Sequence, residues 1–334
     1  MYRAHPGCVY YAMPWLVRKH GLDQEQKLWL AFLNGNTQNI VTTWELFKRF
    51  PSLDESRGLA TWFRENYDRL AWDTDRRYHR KDFLSSVECY RRLVGKSQEA
   101  YFTGVVAGAA SEEDAFDKLW PVLRRDFYTF GRLSAFSYSE YLRLMGVLIN
   151  CSTLFLEDMD GSKSHRNGLA KVLGRDDLDW HKDSGFDGDY ADGEVAWLEV
   201  EGAKLLAEAR VRLSGKQGID SAHINYFTLE SALCTYKSWH RKNRRYANVY
   251  NDMFLDRILV GERNFGIGEV VQFRRCRAEC LPLYLRRECC PYDPGLVPAK
   301  QNHYRDTGEV IMMSRDFPEF DNSFDRMVWS CVLE

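Results

Sequence analysis

Along most of the chain, apolar residues recur every three or four positions, the spacing that lines one face of an α-helix. In residues 23–50, Leu28, Ala31 and Phe32 keep this period, as do Ile40, Val41, Trp44 and Phe47, on either side of Asn34-Gly35-Asn36. The pattern predicts a helical hairpin broken at that tripeptide, with Thr37 capping the second helix and Pro51 stopping it. Residues 59–93 predict two more helices joined by a charged, exposed connector from Asp73 to Lys81. Ser97 to Ala107 predicts another. Ser111-Glu112-Glu113-Asp114 opens a further one, since its carboxylates meet the positive end of the helix dipole, and Pro121 predicts a kink or restart. Residues 127–150 are apolar on nearly every side, which predicts a central buried helix or a pair of them.

The pattern changes between Leu156 and Gly193, where Asp, Gly, Ser, Lys and His predict loops around one short helical piece, residues 168–173. Helices are predicted again from Glu194 to about Leu213, from Ser221 to near Leu259 with a break around Asn243, and over 269–288. The tail beyond holds four of the nine prolines and predicts an irregular wrap. No run alternates as a strand does, and no strand leads into a Gly-rich loop, so a doubly wound nucleotide-binding sheet is disfavoured. The expected fold is mainly α, a single multi-helix domain: residues 1–260 as the helical body, residues 261–334 as an extension packed on it.

Composition sharpens this picture in three ways. At 334 residues with 45% hydrophobic positions, the chain can bury a core without metal or disulfide staples. Its aromatic share of 14% suits both packing and base stacking. The net charge of −2 means that contact with a polyanion must rest on local clusters, of which Arg76 to Lys81 and His240 to Arg245 are the densest. The nine cysteines are odd in number, no charged-then-apolar leader opens the chain, and no run of eighteen apolar residues occurs. The expectation is therefore reduced thiols in a cytoplasm, with no membrane partner. The oligomeric state cannot be read from the sequence.

Three segments carry candidate chemistry. Residues 71–83 place Asp73, Asp75, Asp82 and His79 among Arg76, Arg77, Arg80 and Lys81, so cations for an anion and groups for a proton share one connector. Residues 158–174 set Ser162, Lys163, His165 and Arg166 just before a short helix, whose outward backbone amides suit a phosphate, although the order of a Walker loop is absent. In residues 228–254, Glu230, Cys234, Lys237 and Arg241 share one helical stripe, so a Glu acting as base towards an amine has a cation beside it to hold an anionic group. Solvated helix faces laced with ion pairs produce the same patterns, and that reading stays open for each segment. Cys276, Cys280, Cys289, Cys290 and His303 lack the two-residue spacing of common zinc knuckles and predict buried thiols instead, so no metal site is assigned. The common hydrolase signatures are absent too.

The succession LAWDTDRRYHRKDF, FYTFGRLSAFSYSEYLRLMG and TLESALCTYKSWHRKNRRYANVYNDMF resembles the helical phage enzymes that hypermodify thymine in DNA. These are the amino acid:DNA transferases and the related alpha-glutamyl/putrescinyl thymine pyrophosphorylases, and the likeness covers roughly residues 25–260. It implies a substrate DNA whose 5-hydroxymethyluracil is pyrophosphorylated, and replacement of pyrophosphate by the amine of an amino acid, with glycine and serine the donors in view. It implies no cofactor, while a divalent ion assisting pyrophosphate departure stays open.

Residue chemistry then nominates Asp75, His79, Glu230 and Lys237 as catalytic. It nominates Arg76, Arg77, Arg80, Lys81, Ser162, Lys163, His165, Arg166, Arg241 and Arg245 for substrate and phosphate contacts, and Trp72, Tyr78 and Tyr246 for stacking on an extruded base. A second likeness, of FLNGNTQNIVTTWELFKRFPSLDE to the early hairpin of helix-hairpin-helix DNA glycosylases, implies a glycosylase-like helical body, although their Gly-rich hairpin is not obvious downstream. A DNA-binding accessory protein without activity and a base-excising glycosylase are the alternatives.

Overall fold

The computed structural model describes residues 7–72, 79–159, 161–179, 189–215, 220–239 and 249–280. Among these residues the chain forms α-helices and no strand, as the periodicity predicts. The helices are α1 (Val9–His20), α2 (Gln24–Thr37), α3 (Ile40–Arg49), α4 (Leu59–Glu65), α5 (His79–Val94), α6 (Gln98–Val105), α7 (Glu112–Asp126), α8 (Arg132–Leu144), α9 (Lys163–Val172), α10 (Glu194–Leu213), α11 (Tyr226–Trp239), α12 (Val249–Phe265) and α13 (Ile267–Cys280). None of them is long and apolar enough to cross a membrane. The segment beyond Cys280, including Cys289, Cys290 and His303, lies outside the described residues.

Two compact units divide the chain. Residues 9–152 and 255–276 make up the first, and 153–254 make up most of the second.

The first unit is organised around α2, which packs against α3, α5, α6 and α8. Its centre is aromatic: Phe32 stacks on Tyr90 at 3.8 Å between ring centroids, with Trp29, Phe130 and Tyr138 around them. Rings this close contribute beyond their buried area. Their polar tips are tied off, since the Trp29 indole donates to the Phe50 carbonyl at 2.8 Å and the Tyr90 hydroxyl to Gln98 at 2.6 Å. Burial raises the Tyr90 and Tyr138 hydroxyls above their ordinary range, which keeps both neutral.

Several local expectations are corrected here. The hairpin breaks at Gln38, whose φ of 45° is left-handed, while α2 runs unbroken through Asn34-Gly35-Asn36. Gly35 is there for room: a Cβ at that position would stand 3.2 Å from the Tyr138 ring and 3.3 Å from the Phe130 ring. Asn39, and not Thr37, caps α3 by accepting from the Thr42 amide at 3.2 Å. Thr37 instead bonds the Thr43 hydroxyl at 2.6 Å. Helix α7 continues through Pro121, where the cost of about 3 kcal/mol for an interior proline is offset by buried Phe116, Leu119 and Leu123. The predicted exposed connector ends earlier than Lys81, because His79 already begins α5 and is fully buried.

In the second unit α9 packs against α10 and α11 over a core of Leu154, Leu156, Leu169, Leu198, Leu206, Leu229 and Leu233. Two glycines set the distances between these helices. A Cβ on Gly202 would come within 2.7 Å of Leu154, and one on Gly168 within 2.1 Å of the Leu233 carbonyl oxygen. Helices α9 and α11 therefore touch backbone to backbone, an approach that any other residue at position 168 would prevent.

Candidate functional site

That close crossing fixes the polar groups on either side of it. On α9, Ser164 and His165 lie one turn before Gly168; on α11, Glu230, Cys234 and Lys237 follow one another at helical spacing. The His165 Nδ1 stands 3.1 Å from the Glu230 carboxylate, and the Lys237 Nζ donates to the Ser164 hydroxyl at 2.6 Å. An imidazole, a carboxylate, a hydroxyl and an ammonium thus occupy one helix-helix seam.

The other face of the imidazole settles its protonation pattern. Its Nε2 lies 2.8 Å from the Leu154 carbonyl oxygen, which can only accept, so Nε2 carries a hydrogen. Nδ1 faces the Glu230 carboxylate. The 3.1 Å separation is hydrogen-bond distance, so the two groups are partners across the seam. The pair is nearly closed to water, with side-chain exposures of 1% for His165 and 8% for Glu230, so the accessible edge belongs to Glu230.

The same residues are the candidate ligands for a metal ion among the described residues. One atom each from His165, Glu230 and Cys234 lie within 4.8 Å of one another. A histidine whose second nitrogen donates to a backbone carbonyl is the usual partner of such ions.

The segment before α9 is held rigidly, and by residues that the sequence nominates for substrate. Arg166 is fully buried: its guanidinium donates to the Tyr190 hydroxyl, the carbonyls of Leu156 and Met159, and Ser162 Oγ. Ser162 in turn donates to the Asp158 carbonyl at 2.6 Å, and Glu199 of α10 accepts from the Leu156 amide at 2.6 Å and the Thr153 hydroxyl at 3.0 Å. These bonds stitch the 153–162 loop to the helices, so Arg166 and Ser162 hold the seam in place, while Lys163 is exposed at its edge.

Of the nominated residues, the structure brings His165, Glu230 and Lys237 together, with Lys163 and Arg166 on the same helix as His165. The first candidate segment belongs to the other unit. There His79 is buried between the hydroxyls of Thr129, at 3.0 Å, and Ser134, at 3.3 Å, edge-on to Phe130. Arg80 lies over the Tyr67 ring at 3.7 Å, and Lys81 is exposed. Trp72 is half-buried and meets Phe63 and Phe83 edge-on; its indole N–H reaches no acceptor among the described residues. Asp75, Arg76, Arg77, Tyr78, Arg241, Arg245 and Tyr246 lie outside the described residues.

Sequence reasoning misses three residues of the seam. Ser164 is one hydroxyl among several in its segment, and Tyr190 sits in a loop that has no period. Gly168 carries a readable signal, a glycine inside an otherwise apolar helical stretch, which commonly marks a close approach.

A helical body with this polar seam matches the family model for amino acid:DNA transferase over residues 10–245, and the chain belongs to that family. Among its relatives is the serinyltransferase of Salmonella phage ViI, 35% identical over 161 residues, which are 46% of this chain and 39% of that protein. The match thus spans about two-fifths of the length of this relative. No solved structure matches the chain.

Proposed function

We propose that this protein transfers an amino acid, through its amine, to pyrophosphorylated 5-hydroxymethyluracil in DNA, with release of pyrophosphate. Membership of the amino acid:DNA transferase family supports the reaction class, and the name of the phage relative favours serine over glycine as the donor.

The observation that carries the reading is the pairing of His165 with Glu230 beside Lys237 and Ser164. An incoming ammonium must lose a proton before it can attack. The Glu230 carboxylate, held in place by its pairing with His165, accepts that proton at its less buried edge. The freed nitrogen attacks the methylene carbon on the uracil ring, forming the C–N bond as the C–O bond to pyrophosphate breaks. The electron pair leaves with pyrophosphate, and the secondary ammonium so formed gives its second proton to water.

Lys237, with Lys163 at the seam's edge, supplies positive charge where the leaving group accumulates negative charge, and Ser164 holds the Lys237 ammonium in place. Removal of the target base from the duplex gives the reagents access to one another.

The test is to incubate the protein with duplex DNA bearing pyrophosphorylated hydroxymethyluracil and a mixture of amino acids, then digest to nucleosides for mass spectrometry. A serine-bearing thymine derivative is expected. Unchanged nucleosides would remove the proposal. Abasic sites would point to a glycosylase, and tight binding without product to an accessory protein.

A further inference from the structure

Away from the seam, the first unit holds an open groove of about 830 Å³ between the loop leading into α4 and the exposed side of α5. Its floor is apolar, with Leu53, Leu59 and Val87 buried beneath it. Its walls carry Arg57, Arg64, Arg91 and Arg92 against only two carboxylates, Asp54 and Glu88. One of the four cations is already engaged, since Arg91 pairs with Glu88 and donates to the Ser56 hydroxyl. Arg57, Arg64 and Arg92 are exposed, and among the described residues no carboxylate lies within ion-pair distance of them.

Three exposed guanidiniums around one groove, with no described carboxylate in ion-pair reach, create a local positive potential that favours an anion. Each presents a planar fork that matches a phosphate with two parallel hydrogen bonds, which a lysine cannot do. The groove is partly open to solvent and large enough for more than one phosphate, and its apolar floor suits the sugar faces between them. The floor is also firm. Ser56 donates to the Leu53 carbonyl, and Gly58, at a φ of 83°, turns the backbone into α4 in a conformation that a side chain would strain.

We infer that this groove is the track for the phosphodiester backbone of the substrate DNA, with Arg57, Arg64 and Arg92 binding its phosphates; this rests on the reading that DNA is the substrate. None of the three belongs to the basic clusters that stand out in the sequence, because they come together only when α4 meets α5.

The experiment compares the full chain with its Arg57→Ala/Arg64→Ala/Arg92→Ala variant in binding a fluorescent DNA duplex across a salt series, with thermal unfolding as a control for the fold. The variant is expected to bind at least about tenfold more weakly at low salt. Its plot of log affinity against log salt is expected to flatten by about 2.7, at about 0.9 for each phosphate that is no longer neutralised. Apparent KM for modified DNA should rise in step. Arg57→Lys/Arg64→Lys/Arg92→Lys, which keeps the charge, should retain most of the slope and serves if the alanine variant does not fold.

Unchanged affinity and slope in a folded variant would overturn the inference, as would equal sensitivity in a chain that prefers RNA to DNA. Nucleoside analysis separates this from the proposed reaction. A wild-type chain that modifies DNA while the variant binds as well sinks only the groove. A chain that modifies nothing, yet loses binding with the three arginines, sinks only the transferase.

Discussion

Each of the two units buries a histidine, and the two rings keep different company. In the unit built on α2, the half-buried Glu25 accepts from the Ser97 hydroxyl and the Gln98 and Glu99 amides at the start of α6, and the buried His79 bridges two hydroxyls. In the unit built on α9 and α11, the buried His165 ring is held between the Leu154 carbonyl and the Glu230 carboxylate, a group that can itself exchange a proton. Hydroxyls beside an imidazole hold a fold, whereas a carboxylate beside one adds a group that exchanges protons.

This contrast can be broken at its strongest point by Glu230→Gln. The amide keeps the shape but takes no proton, and turnover on modified DNA is expected to fall about a thousandfold, ~4 kcal/mol in barrier, with the unfolding temperature nearly unchanged. A variant with wild-type turnover would remove Glu230 from the mechanism. Next in size is Gly168→Ala. Its methyl would meet the Leu233 carbonyl oxygen at 2.1 Å, so α9 and α11 must separate, at a cost of about 3 kcal/mol in urea unfolding together with loss of activity.

His79→Ala tests the other unit. It leaves the hydroxyls of Thr129 and Ser134 without their buried partner and opens a cavity beside Phe130, which costs about 2 kcal/mol of stability. Turnover per folded molecule is expected to stay at the wild-type level, and a loss as large as that of Glu230→Gln would restore His79 to the chemistry.

The smallest effect is expected for Glu25→Ala, at about 1 kcal/mol, since it removes a cap from α6. Burial raises the Glu25 carboxyl, but hydrogen bonds from Ser97, from the Glu99 and Gln98 amides and from the Gln98 side chain outweigh it and hold the group below its ordinary range. A carboxyl lowered in the folded state contributes stability that is complete above the ordinary carboxylate range and is lost as pH falls through the lowered value. Wild type and variant should therefore converge in unfolding temperature in acid and differ at neutral pH.

Much of the helical framework is legible in the sequence because period and caps are local. Ser97 and Ser111 each accept from the third residue of the helix they open, and α10 spans the residues that its pattern predicts. Where local reading fails, a tertiary neighbour overrules it. Gly35 looks like a turn residue until the rings of Phe130 and Tyr138 are seen against it, and α1, with its Pro14, goes unread.

The candidate site is legible in part. Helical spacing aligns Glu230, Cys234 and Lys237, and His165 stands out as a candidate for binding phosphate, but nothing in the spacing says that an imidazole 65 positions earlier would face Glu230. The sequence alone determined the helical class, the identity of the polar side chains available for chemistry and the absence of a nucleotide-binding sheet pattern, since all of these depend on residue type and short-range order. Tertiary structure alone decided which of those side chains were spent on holding the core and which faced one another across a seam. Burial and proximity arise from helix packing, and packing turned on one missing side chain at Gly168.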